Sequence, residues 1–151
     1  MVKKTKNIQY YEATGRRREA VARVRLYIAG KDKMITLYGN KVKQGEMLVN
    51  KQPIHVVFPM MYEKATYLKP LKLTSSEDRF VISIITHGGG RTGQLEAIVH
   101  GLSRALEKVD TETNRPILKK ELLLRRDPRT RERRMVGTGG KARRAKQSPK
   151  R

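Results

Sequence analysis

The chain contains no cysteine. Disulfides and thiolate metal sites are therefore excluded, and a reducing compartment suits the composition. Long apolar runs are missing as well. No segment approaches the roughly 20 residues a membrane helix needs, and the opening MVKKTKNIQYY lacks the apolar centre of a signal peptide. Aromatic residues amount to 5%, few for a protein that reads single-stranded bases by stacking. Acidic residues are scarce: 14 Asp and Glu stand against 35 Lys and Arg, for a net charge of +21. Such a chain repels itself when free and binds phosphate-rich partners, so a nucleic acid is the expected partner. Neither a membrane nor a homo-oligomer is expected. A membrane-surface helix needs bulky apolar residues opposite its charge, and the basic segments lack them.

What the chain does have is concentrated at one end. Residues 125–151 read RRDPRTRERRMVGTGGKARRAKQSPKR, with 12 Lys and Arg against 2 Asp and Glu. Met135 and Val136 are the only large apolar residues there. This segment cannot bury enough apolar surface to offset its ordering entropy, so it should order against phosphate. The rest of the chain carries the other +11 and is basic in its own right. Its length suffices for one domain with a real core. The expected organisation is a flexible segment at 1–9, a globular RNA-binding domain at 10–124 and a basic tail at 125–151.

Periodicity outlines that domain. Residues 20–28, AVARVRLYI, alternate, with Ala20, Ala22, Val24, Leu26 and Ile28 on one face, which predicts a strand. A second strand is expected at Met34–Tyr38, forming a hairpin with the first, and Gly39-Asn40 signals a turn. Residues 41–58 are ambiguous. Pro59 is placed to open a helix through about Leu68, with Pro70 closing it. Residues 79–86, RFVISIIT, predict a central strand. From Leu95 to Val109, Leu95, Ile98, Val99, Leu102, Leu106 and Val109 share one helix face, with Glu96, His100, Ser103, Arg104 and Glu107 opposite. Residues 110–115 read as a polar loop and 116–124 as a short helix. Strands first and helices late predict an α+β fold, a two-layer sheet with helices on one face.

The glycine run His87-Gly-Gly-Gly-Arg-Thr-Gly-Gln-Leu95 lies between strand and helix, where enzymes cradle phosphate. Gly88 and Gly93 have P-loop spacing, but Gln94 and Leu95 stand where Lys and Ser/Thr are needed. Gly88, Gly90 and Gly93 match a dinucleotide fingerprint in spacing only. Three readings remain: a tight turn, a nucleotide site, or backbone N–H groups with Arg91 meeting a nucleic-acid phosphate. The last is preferred. His55, His87 and His100 assemble no catalytic or metal set, and His100 is expected to face solvent or phosphate. No enzymatic activity and no cofactor is expected.

The basic clusters carry more weight because they recur: Arg16, Arg17 and Arg18; Lys119 and Lys120; Arg125, Arg126, Arg129, Arg131, Arg133 and Arg134; Lys141, Arg143 and Arg144. Arginine suits phosphate, being always charged and bidentate. Backbone and shape recognition of a folded RNA fits better than base reading.

TGRRREAVARVRL at 14–26, GGGRTGQLEAIVHGLSRAL at 88–106, LKKELLLRRDPRTRERR at 118–134 and KARRAKQSPKR at 141–151 together resemble the bacterial small ribosomal subunit protein S-nine family. The resemblance implies a fold like the second domain of ribosomal protein S-five, with a left-handed crossover. It implies a non-enzymatic constituent of the small-subunit head in the cytoplasm, among neighbouring head proteins. The globular part would bind small-subunit rRNA, and the tail would thread through rRNA to bring Lys150 and Arg151 to the anticodon stem-loop of P-site tRNA. The chain departs from the family in places. Gln147 is followed by Ser148-Pro149 instead of Phe-Ser, and Val136 replaces an aromatic. Glu96 replaces a small residue, so that helix start is expected to face protein or solvent. The stretch Lys43–Val56 is longer than usual and is expected to be a surface insertion. Rival classes are a phosphate-ester enzyme using Gly88–Gly93 and a free basic chaperone or nucleoid-type protein.

Overall fold

A computed structural model describes residues 3–5, 8–29, 33–134 and 136. Eight strands and four helices follow along the described chain. Strands β1 (Lys3–Thr5), β2 (Ile8–Arg17) and β3 (Ala20–Ile28) come first. Short strands β4 (Met34–Leu37), β5 (Asn40–Lys43), β6 (Met47–Val49) and β7 (Gln52–Pro53) lead to helices α1 (Ile54–Val57) and α2 (Met61–Leu73). Strand β8 (Phe80–His87) precedes α3 (Arg91–Val109) and α4 (Thr111–Lys120). The main sheet runs β1-β2-β3-β8-β6-β7, while β4 and β5 pair separately. All pairs are antiparallel except β6 with β8.

The alternation in β3 does what period two dictates. Ala20, Ala22, Val24 and Leu26 enter the main core with Ile82 and Ile84 of β8 and with Leu95, Ile98, Leu102 and Leu106 of α3. All four helices contribute to this cluster, through Ile54, Tyr67 and Leu71, the α3 residues, and Leu118. The sheet therefore has its helices on one face, in a mixed α+β domain. The other face is not bare. Tyr10, Tyr27, Leu48 and Val81 form a smaller core there with Ile35, Leu37 and Val42 of the β4–β5 hairpin.

Several sequence expectations are corrected. β3 makes no hairpin with residues 34–38, because β2 and β8 already occupy both of its edges. β4 turns away through Tyr38-Gly39 and pairs with β5. Lys3–Thr5 is not loose but pairs with Ile8–Tyr10 of β2. The stretch Lys43–Val56 is not purely a surface insertion: Met47, Leu48, Val49 and Ile54 are buried, and β6 extends the sheet beside β8. Pro70 lies inside α2, which runs on to Leu73; the proline forfeits one backbone bond without breaking the helix. Residues 111–115 are helical. The Asp110 carboxylate accepts the Thr113 N–H at 3.1 Å and caps α4 immediately after α3. Ser103, assigned to the polar face of α3, is buried, its hydroxyl donating to the Val99 carbonyl at 2.8 Å.

Candidate nucleic-acid interface

Two glycine contacts bring the basic residues together. On β2, Gly15 faces inward, and a Cβ there would lie 2.0 Å from the Ala97 carbonyl and 2.3 Å from the Gly101 amide. Only glycine allows α3 to sit this closely on the strand. Just ahead of α3, Gly88 has φ +73°, and a Cβ there would meet the Glu19 carbonyl at 2.5 Å. The glycine loop thus lies against the β2–β3 turn. Between them opens a cleft of about 620 Å³, lined among others by Arg17, Arg18, Gly90, Arg91 and Arg131. α3 begins at its rim with Gly90 as N-cap, no side-chain cap and no acidic residue in the first turn. That end of the helix favours anions. The Gln94 amide donates to the Gly88 carbonyl at 3.2 Å and closes the loop on itself.

The arginines are not equivalent. Arg18 is exposed, at the turn, with φ +50°. Arg16 is exposed as well. Arg17 points inward and is buried. Its Nε donates to Glu96, its Nη2 lies 3.1 Å from the Asp127 carboxylate, and its Nη1 donates to the Arg129 carbonyl at 2.8 Å. Arg91 keeps about half of its side chain exposed (48%), while Glu63 beside it is almost fully buried (2%). Arg91 Nε and Nη2 donate to the two Glu63 oxygens at 2.8 Å each. The guanidinium also lies 5.7 Å from the Phe58 ring centroid. This fork holds the Glu63 carboxyl below its ordinary range, against burial, which pushes the other way.

The polar stripe of α3 has a role that sequence reading missed. The Arg16 N–H donates to His100 Nδ1 at 3.2 Å, Arg104 donates to the Thr14 carbonyl at 2.6 Å, and Lys108 donates to the Glu12 carbonyl at 2.7 Å. Among the described residues β1 pairs with Ile8–Tyr10, and this stripe covers the backbone edge of β2 beyond it. The i, i+4, i+8 spacing of His100, Arg104 and Lys108 was the available signal. His100, expected to face solvent or phosphate, is half-buried with its Nδ1 turned to the β2 backbone. Burial lowers its pKa, helped by Arg104.

Lys119 and Lys120 are exposed on α4, away from the cleft lining. Arg125, Arg126, Arg129, Arg131, Arg133 and Arg134 are exposed along a segment without regular secondary structure, and Arg129 forks onto Asp127 at 2.6 to 3.0 Å. That contact, foremost, holds the Asp127 carboxyl far below its usual range. Lys141, Arg143, Arg144, Lys150 and Arg151 lie outside the described residues. The assembled chemistry is cationic and donor-rich, suited to holding phosphate. Glu96 meets Arg17, so the start of α3 faces protein at that point, as expected.

A family model described as Ribosomal protein S9/S16 matches residues 15–151. The match takes in the arginines of β2, the glycine loop, α3 and the whole basic tail. The chain belongs to the ribosomal protein S9/S16 family.

Proposed function

We propose that the protein is a non-enzymatic constituent of the small-subunit head that binds small-subunit rRNA and delivers its tail tip to P-site tRNA. The observation that carries this reading is the cleft where Arg18, Arg91 and Arg131 surround the uncapped start of α3. A phosphate there would meet backbone N–H groups, the guanidinium forks of Arg18 and Arg131, and the charge of the half-exposed Arg91, whose own fork Glu63 takes up. The exposed arginines of 125–134 continue the basic surface from that cleft. Neutralised phosphates release counterions, which is what orders a chain this charged. The parallel β6–β8 pair, with α1 and α2 between its strands in the chain, is a crossover connection and supports a fold like the second domain of ribosomal protein S-five. In this reading the protein works in the cytoplasm among neighbouring head proteins. Residues 10–124 form the RNA-binding body, Lys141, Arg143 and Arg144 extend the rRNA contact, and Lys150 with Arg151 reaches the anticodon stem-loop.

Binding to head-domain rRNA across a salt series, with and without residues 125–151, tests the tail. Each lost phosphate contact should lower the log–log salt slope by about 0.7 to 0.9. Unchanged affinity and slope would refute it. Removing Lys150 and Arg151 alone should leave subunit assembly intact but weaken P-site tRNA retention. Unaltered retention would restrict the tail to rRNA.

A further inference from the structure

Arg17 occupies the inward register of β2 after Ala13 and Gly15, a position that normally holds an apolar side chain. Only 8% of it is exposed. Its three nitrogens reach acceptors on two other parts of the chain: Glu96 on α3, and Asp127 with the Arg129 carbonyl on the tail. The fork is therefore taken up by protein. Asp127 is gripped from its other side by Arg129, whose backbone N–H donates to it at 2.9 Å. Just upstream, Leu123 and Leu124 pack against the main core. Just downstream, Thr130 and Arg131 reach the cleft. The chain from Leu123 to Arg131 is thus fitted along the body step by step.

Charge explains why Glu96 matters. The start of the tail sets Arg129 against the same carboxylate that the buried Arg17 meets, two cations on one anion. Asp127 alone would have to balance both. Glu96 adds a second carboxylate from a rigid helix, at a position where the family resemblance leads one to expect a small residue.

We propose that Arg17 and Glu96 form a clamp that fixes the root of the basic tail to the body before any RNA is bound, so that the tail leaves the domain in a preset direction. Arg17 and Glu96 are positioning residues, and Arg17 is not itself a phosphate contact. The inference rests on the reading of the tail as an RNA-binding arm. Its advantage is that residues already ordered need not be ordered again on binding.

The absence of cysteine makes the test direct. Nitroxides are attached to the free, full-length chain through Glu112→Cys on α4 and Thr130→Cys on the tail root. Pulsed electron–electron spectroscopy should give one narrow distance peak. Adding Glu96→Gln should broaden it, whereas the charge-matched Glu77→Gln should not. Equal melting temperatures for the two variants would show that the broadening is local. A broad distribution without either added change, or one indifferent to Glu96→Gln, would overturn the clamp. No RNA enters this measurement, so its failure and that of the tail-deletion salt series are distinguishable.

Discussion

Gly15 and Arg17 lie two residues apart on the same face of β2, and each meets α3 in its own way. At Gly15 the strand has no side chain, and backbone touches backbone at Ala97 and Gly101. At Arg17 it carries a long cation, and the helix answers with Glu96. The first contact is steric and indifferent to salt or pH. The second is electrostatic, and it recruits a distant segment, the tail root, which a steric contact could not do. The same strand therefore fixes the body by packing and the tail by charge.

The largest effect should come from the steric contact. Gly15→Ala places a Cβ within 2.0 Å of a backbone oxygen. Overpacking costs roughly 1–3 kcal/mol and here should reach the top of that range, because backbone has to move. Equilibrium denaturation would show it, and a variant as stable as the parent would break the comparison. Next is Arg91→Ala, which strands the buried Glu63 carboxylate without its partner. Melting should fall by several degrees at neutral pH, and the gap to the parent should narrow as pH falls from neutral through the carboxylate range, because burial unopposed by Arg91 makes the stranded Glu63 take up a proton more readily. A gap independent of pH would mean that Glu63 is not stranded as a charge.

The tail root should respond to acid alone. The folded-state pKa of Asp127 is depressed, so its contribution is present above the ordinary carboxylate range near 4 and lost as pH falls through its own much lower value. The nitroxide peak across Glu112→Cys and Thr130→Cys should still be broadening as pH falls well below 4, before the helices melt by circular dichroism. Broadening already complete at pH 4 would show that Asp127 is not held by Arg17 and Arg129. The smallest effect belongs to His100. Its pKa is lowered by burial, so neutral His100 is favoured by folding. Stability should slope gently downward as pH drops below about 6.5, and His100→Gln should flatten that slope.

How much of this was legible follows from what each position places inside. β3 and α3 bury large apolar side chains at periods of two and 3.6, and both patterns stand out in the sequence. β2 shows no strand signal in the sequence because the residues it turns toward α3 are Ala13, Gly15 and Arg17. Small residues and a cation carry no hydrophobic signal, although they pack as tightly as any. Pro70 and Pro116 predict helix boundaries, yet both lie inside helices, where tertiary packing outweighs one lost backbone bond. β6 is only three residues long, all buried. So short an apolar run shows no period by which to tell strand from loop.

The site divides similarly. Recurring arginine runs and the glycine loop pointed to the cleft before any coordinates. They could not rank the arginines, because Arg16, Arg17 and Arg18 are identical in type and adjacent in sequence. Composition by itself determined that this protein calls for anions around it, since a net charge of +21 repels itself wherever the chain goes. Tertiary structure alone decided which cations remain free to meet them. The partners that occupy Arg17 lie 79 and 112 residues away, and only the crossing of strand, helix and tail brings those oxygens within reach of a guanidinium.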